Sequence, residues 1–157
     1  MDYSVLDRVI ARDKTLDVVP MYEHGIDYPI MCEIMGYPTN DLDMSQESGL
    51  LKFWSRWIKF YEQMGYPYVS VEMGPKFPQL QQLAGKGDTD SVTRGYVDEN
   101  DGPIKSIEDV RNESLWLDID KIFDYTLFSK VLDMVPDHMK AVGGCSGGPF
   151  EHATFLM

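Results

Sequence analysis

Basic residues are scarce in this sequence. Its 157 residues include 14 Lys and Arg against 26 Asp and Glu, which gives a formal net charge of −12 at pH 7 with neutral histidines. A nucleic-acid surface needs a clustered positive field, whereas a chain of this charge repels polyanions at neutral pH. Nucleic acids are therefore not expected among the partners of this protein.

Long apolar runs and closely spaced cysteines are also missing. No segment approaches the roughly 20 apolar residues of a membrane-spanning helix, and residues 1–14 contain no signal-peptide core. The two cysteines, Cys32 and Cys145, form neither a C-x-x-C pair nor a disulfide framework. These absences predict a cytoplasmic protein with reduced thiols and no membrane association.

The hydrophobic pattern alternates between strands and helices. Strands are predicted over 18–22, 67–73 and 139–144, and the clearest helical pattern runs from Leu50 to Gly65. Residues 74–104 are polar and contain a predicted hairpin. Strands that alternate with helices predict an α/β fold with a parallel sheet. Further helices are predicted over 5–12 with Ser4 as the N-cap, over 29–35, over 119–135, and from Pro149 to the end, where the sequence looks cut short.

The glycine-rich segment after the third predicted strand is one candidate binding site. Glycines at a helix start let backbone N–H groups approach an anionic ligand. The segment also matches G-x-S-x-G around Ser146, but a serine hydrolase needs a later acid and histidine, and the only ones left lie on the adjoining helix. Cys145 could instead be a small buried residue, and Glu151 a partner of the helix dipole. The predicted cofactor-binding residues are Gly144, Cys145, Gly147, Gly148 and Glu151.

Two stretches of the chain carry a family resemblance. The first runs from Arg8-Val9-Ile10 through Asp17-Val18-Val19-Pro20 to Glu23-His24, and the second comprises Gly102 to Asp109, Trp116 to Asp118, Val142 to Glu151 and Thr154 to Leu156. Together they resemble the uroporphyrinogen decarboxylase (URO-D) superfamily, which implies a (β/α)8 TIM barrel of typically about 250 residues. Residues 1–157 would then form a single partial barrel domain, namely its N-terminal part with about three βα units and a hairpin excursion over 74–104, and the C-terminal half would be absent.

Within such a barrel, His24 and Glu72 are the predicted catalytic residues. His24 ends the first predicted strand, at the rim where barrel enzymes place their catalytic groups. Glu72 lies with Ser70 on the polar face of the second, and a carboxylate that points into a barrel mouth suits proton transfer or ligand anchoring. The alternatives are a His24 that caps a loop and a Glu72 that forms a salt bridge with Lys76 or Arg94. Tyr22, on the same side as His24, is predicted to fill the barrel interior.

The resemblance implies one of two activities. The decarboxylase branch clamps substrate carboxylates with an arginine-rich loop after the first strand, whereas residues 21–27 here contain no arginine. We therefore expect the corrinoid-linked methyltransferase-like branch, whose partners are a corrinoid protein or a small-molecule methyl donor and acceptor. Uroporphyrinogen decarboxylation, a step of porphyrin and haem biosynthesis, is the alternative.

The methyltransferase-like branch usually holds zinc on a His-x-Cys pair and a later cysteine in the second half of its barrel. His24, Cys32, Cys145 and His152 form no such pair, so no metal ligand is predicted from this chain. Zinc and a corrinoid would require a supplied C-terminal half. A non-catalytic half-barrel that pairs with such a chain or with itself is a third alternative, because an unclosed sheet exposes edge strands.

Overall fold

The computed structural model describes residues 2–73, 82–86, 93–97, 102–113, 116, 118, 123–143 and 149–157. The helices are α1 (Ser4–Ile10), α2 (Tyr28–Met35), α3 (Glu47–Gln63), α4 (Ile107–Val110), α5 (Tyr125–Leu132) and α6 (Pro149–Leu156). The strands are β1 (Tyr68–Ser70), β2 (Gln82–Lys86), β3 (Thr93–Val97) and β4 (Lys140–Val142). Among these elements, no helix is both long enough and apolar enough to cross a bilayer.

Two strand pairs make the described part of the chain a mixed α/β structure. Strands β1 and β4 are parallel, with Tyr68 opposite Lys140 and Ser70 opposite Val142. Strands β2 and β3 are antiparallel, which confirms a hairpin within residues 74–104. The second and third predicted strands are confirmed as β1 and β4, while closure into a barrel stays a prediction.

The chain divides into two compact units. The first contains Met1–Glu72 and Asp124–Gly144, and the second contains Met73–Phe123 and Cys145–Met157. In the first unit, α3 contacts α2, α5 and β1. Its buried hydrophobic residues are Val5, Met31, Cys32, Trp54, Trp57, Ile58, Phe60, Tyr61, Tyr68, Val69, Val71, Leu127, Val131 and Met139.

Helix α3 supplies the centre of this core, as its apolar periodicity predicts. The side chains of Trp54, Trp57 and Tyr61 are buried, and the indole Nε1 of Trp57 donates a hydrogen bond to the Ser70 carbonyl at 2.8 Å. Gly65 follows the helix with φ 81°, a left-handed conformation that glycine adopts without steric cost. The chain can therefore leave α3 and enter β1 after a short turn.

The first predicted strand is wrong. Residues 18–22 form no strand, and Val19 is 91% exposed. Pro20 has no N–H group to offer a neighbouring strand. Three residues further on, the main-chain N–H and C=O groups of Glu23 form hydrogen bonds with tyrosine hydroxyls and not with a neighbouring strand. Of the three predicted βα units, the first therefore lacks its strand.

Two predicted helix starts also need correction. Ser4 is the first residue of α1 and not its cap, since the Asp2 carboxylate accepts the Ser4 N–H at 2.9 Å. The helix predicted over 119–135 spans only Tyr125–Leu132, because Asp124 caps it by accepting the Leu127 N–H at 2.8 Å. Residues 119–122 lie outside the described residues. The helices predicted over 29–35 and from Pro149 are confirmed as α2 and α6.

Arg56 is a buried cation on α3 that the hydrophobic pattern does not reveal. Its guanidinium forms two hydrogen bonds with the Asp41 carboxylate, at 2.8 and 2.7 Å, and one with the Tyr28 hydroxyl at 2.9 Å. It also donates to the Pro38 carbonyl at 3.3 Å and lies 4.7 Å from the centre of the Tyr37 ring. This network joins α2 and the segment that follows it to α3. Hydrogen bonds from Arg56 and Lys52 hold the pKa of the Asp41 carboxyl well below its usual range.

We expect Arg56→Lys to lower the free energy of unfolding by about 2 kcal/mol, because an ammonium cannot reproduce the two-pronged bond to Asp41 or reach every other acceptor. Urea unfolding followed by tryptophan fluorescence measures the change. Arg8→Lys is the matched control, because Arg8 binds Asp13 at 2.7 Å with its side chain 43% exposed. An equal loss in both variants would contradict the special role of Arg56.

The Asp41 contact also predicts a dependence of stability on pH. Its folded-state pKa lies below the ordinary value of 3.8, so the contribution is fully present above that value and is lost as the pH falls toward the folded pKa. We expect the free energy of unfolding to fall below pH 3.8 in the wild type. The fall should be shallower in Arg56→Ala, where Asp41 has lost the guanidinium that lowers its pKa most. Identical slopes in urea titrations at several acidic pH values would refute this.

Candidate functional site

The candidate site lies at the carboxyl end of the parallel pair. Val71 extends the ladder beyond β1 by donating its N–H to the Val142 carbonyl at 2.9 Å, and Glu72 follows it directly. Gly143 comes directly after the last residue of β4. Ligands of open α/β folds bind at the carboxyl ends of the strands. The position of Glu72 is therefore one at which a polar side chain can meet a ligand.

The two predicted catalytic residues lie in direct contact. His24 Nε2 is 3.0 Å from Glu72 Oε1, and the Glu72 side chain is 26% exposed while that of His24 is 69% exposed. The contact joins the end of β1 to an irregular segment far from it in the sequence. The other partners predicted for Glu72, namely Lys76 and the side chain of Arg94, lie outside the described residues.

Tyr22 is a third member of this group, and the sequence analysis missed it. Its hydroxyl lies 3.4 Å from His24 Nδ1, and the residue is 68% exposed, so it does not fill an interior. The expectation of a core residue is wrong because the segment is not a strand with one face buried. The two-residue spacing of Tyr22 and His24 predicts that they share one side, but it does not predict that Tyr22 is exposed.

For an ionised Glu72 and a neutral His24, the contacts are compatible with one placement of the protons. An ionised carboxylate only accepts hydrogen bonds, so His24 Nε2 carries the proton that is directed at Glu72. In the neutral imidazole Nδ1 then has the lone pair and accepts the hydrogen bond from the Tyr22 hydroxyl. Tyr22, His24 and Glu72 thus form a chain along which a proton can move, which we call the Tyr22–His24–Glu72 relay.

Two buried tyrosines hold the main chain next to the relay. The Tyr68 hydroxyl accepts the Glu23 N–H and donates to the Glu23 carbonyl at 2.9 Å, and the Tyr61 hydroxyl donates to the same carbonyl at 3.2 Å. Burial raises the pKa of both phenols, which keeps them protonated as donors. The Tyr22 ring stacks on the Tyr68 ring with 5.5 Å between centroids. These contacts fix the residues on both sides of Glu23.

The predicted glycine-rich binding segment cannot be placed in the site. Gly144, Cys145, Gly147 and Gly148 lie outside the described residues, as does Ser146 of the rival hydrolase motif. Glu151 belongs to α6 of the second unit, and its side chain is outside the described part as well. The structure therefore brings together His24 and Glu72, whereas the five predicted cofactor-binding residues lie wholly or in part outside the described residues.

The described residues do not fit a zinc ion. Among them, no three His, Cys, Asp or Glu side chains are grouped so that they could hold a metal. Cys32 is a packed thiol, fully buried on α2, whose Sγ donates to the Pro38 carbonyl at 3.6 Å. No residue of the described part is therefore assigned to zinc.

A second His–Glu pair provides an internal comparison. His138 Nε2 lies 3.5 Å from Glu62 Oε1, and both side chains are nearly half exposed. His138 precedes β4, and Glu62 belongs to the last turn of α3 before β1. This pair therefore lies at the amino ends of the two strands, where barrel proteins place residues for stability and not for catalysis.

Comparison with known proteins adds no relative. No protein-family model matches the chain, and no curated protein or solved structure matches it. The URO-D resemblance therefore stays a prediction that depends on the residues quoted for it.

Gly143 is required where the relay meets the strand pair. A Cβ atom added to it would lie 1.9 Å from the Val71 carbonyl oxygen, whereas one added to Gly25 would meet nothing within 4 Å. We expect Gly143→Ala to lower the free energy of unfolding by about 1–3 kcal/mol, the usual cost of overpacking. Gly25→Ala is the control and should change it by less than about 0.5 kcal/mol. Equal urea midpoints for Gly143→Ala and Gly25→Ala would show that the strands can move apart at Gly143 without a loss of stability.

Proposed function

We propose that this chain is a URO-D-like protein of the methyltransferase-like type, in which the His24–Glu72 pair transfers a proton to or from a small substrate. The observation that carries the proposal is the 3.0 Å contact between His24 Nε2 and Glu72 Oε1 at the carboxyl end of β1. The family assignment itself depends on the sequence resemblance. The proposed partners are a methyl donor and a methyl acceptor.

Methyl transfer between heteroatoms requires such a proton. A thiol acceptor that gains a methyl group loses its hydrogen, so a base must take up that proton, whereas a donor atom gains a proton only where it leaves as an alcohol, an amine or a thiol. A histidine whose second nitrogen is held by a carboxylate is oriented for this exchange, because the carboxylate stabilises the imidazolium that forms. Our proposal assigns only this proton to His24 and Glu72.

The charge around the pair favours methyl transfer over decarboxylation of a porphyrinogen. Glu72 lies at the site, and the Glu23 carboxylate is close to the same loop, where it accepts the Gly25 N–H at 3.4 Å. Residues 21–27 contain no arginine that could bind substrate carboxylates. A substrate with many carboxylates would be repelled here, whereas a neutral or cationic small molecule would not.

The test is methyl transfer from methylcobalamin to 2-mercaptoethanol. We expect His24→Asn to lower the rate by about 10²-fold or more, since positioned acid–base groups contribute that much, and Glu72→Gln to lower it less. The assay uses the chain alone and the chain mixed with a candidate C-terminal half-barrel chain, the partner that the resemblance implies.

His138→Asn is the matched control and should keep full activity, because that histidine belongs to the pair at the amino ends of the strands. No methyl transfer in either assay, or equal rates for His24→Asn and the wild type, would contradict the proposal. Formation of coproporphyrinogen from uroporphyrinogen by the purified chain would instead favour the decarboxylase alternative.

A further inference from the structure

We infer that the Tyr22 hydroxyl is the group of the relay that contacts the substrate. Both nitrogens of the His24 imidazole already have partners, since Nε2 faces Glu72 and Nδ1 faces Tyr22. The imidazole therefore has no free nitrogen to offer a ligand in this arrangement. The phenolic oxygen, in contrast, uses its proton for Nδ1 and keeps its lone pairs.

The exposure of Tyr22 and the packing of its ring both agree with a contact to the substrate. Tyr22 is 68% exposed, so a small molecule can reach its oxygen from solvent. Its ring stacks on the buried Tyr68, with an interplanar angle of 18°, and Tyr68 also holds the adjoining main chain. An exposed tyrosine is thus kept in one place by a buried one. The 3.4 Å separation from His24 is long for a hydrogen bond, as is common for catalytic contacts without substrate.

The relay can remove a proton from a protic substrate group in a balanced step. As the substrate atom forms its new bond, its hydrogen passes to the Tyr22 oxygen while the original Tyr22 proton passes to His24 Nδ1. The product is an imidazolium paired with the Glu72 carboxylate and a neutral Tyr22. The reverse direction delivers a proton to a leaving atom. This role deepens the proposed function and depends on it for the identity of the reaction.

The same geometry makes the Tyr22 oxygen a base-assisted nucleophile, which allows a test without any activity assay. With an arylsulfonyl fluoride, the phenolic oxygen forms a bond to sulfur, the S–F bond breaks, fluoride leaves, and His24 Nδ1 takes the phenolic proton. An exposed tyrosine without a base reacts slowly with this probe. Tyr22 itself in the His24→Asn variant, which removes the imidazole and keeps the exposed ring, is therefore the reference.

The experiment measures labelling rates of individual tyrosines in the full chain by peptide mass spectrometry. We expect Tyr22 to react at least about tenfold faster in the wild type than in His24→Asn, in keeping with general-base assistance. Glu72→Gln should reduce the Tyr22 rate part of the way. His138→Asn should leave the rate unchanged.

A Tyr22 labelling rate that His24→Asn does not change would overturn the inference. Tyr22→Phe separates it from the proposed function, and this variant keeps the ring that stacks on Tyr68. Methyl transfer that needs His24 but survives fully in Tyr22→Phe would refute the Tyr22 role alone. Fast, His24-dependent labelling without any methyl transfer would support the role of Tyr22 and refute the proposed reaction.

Discussion

The hydrogen bonds from Tyr61 and Tyr68 to the main chain of Glu23 are the contacts on which the candidate site depends. Tyr61 lies in α3 and Tyr68 in β1, and both phenols are buried. Because they hold the residue between Tyr22 and His24, they place His24 against Glu72 and Tyr22 against His24. Helix α3 and strand β1 thereby position a segment that has no regular structure of its own.

Helix α3 is anchored in a similar way, because polar groups within the hydrophobic core find hydrogen-bond partners there. Arg56 is a charged residue in the apolar half of a helix, and its burial is tolerated because an anion, a hydroxyl, a carbonyl and an aromatic ring surround it. The result is that α2 and the segment after it are tied to α3 by directional bonds as well as by packing. A rigid α3 in turn fixes the register of β1 and the hydroxyl of Tyr61.

The sequence predicts those features that depend on local patterns. The helix from Leu50 to Gly65, the strands at 67–73 and 139–144, and the helical turn ended by Gly36 follow from periodicity and glycine positions, and the structure has all of them. The strand predicted over 18–22 is wrong because apolar residues alone do not make a strand: no strand of the described part of the chain pairs with this segment, and Pro20 lacks an N–H donor. His24 and Glu72 could be proposed from their places after apolar runs. The exposed role of Tyr22 could not, since it follows from a long-range contact with Tyr68 that no local pattern encodes.

The hydrogen bond between the Trp57 indole and the Ser70 carbonyl bears on how the sheet could grow. In a parallel strand, successive residues direct their backbone groups to opposite neighbours. Val71 donates to Val142 on the β4 side, so the carbonyl of Ser70 faces the other edge of β1, and there the indole already occupies it at 2.8 Å. The tryptophan thus blunts an open sheet edge that would otherwise recruit foreign strands. Any strand added along that edge, including one needed to close a barrel, would have to compete with Trp57 for this acceptor.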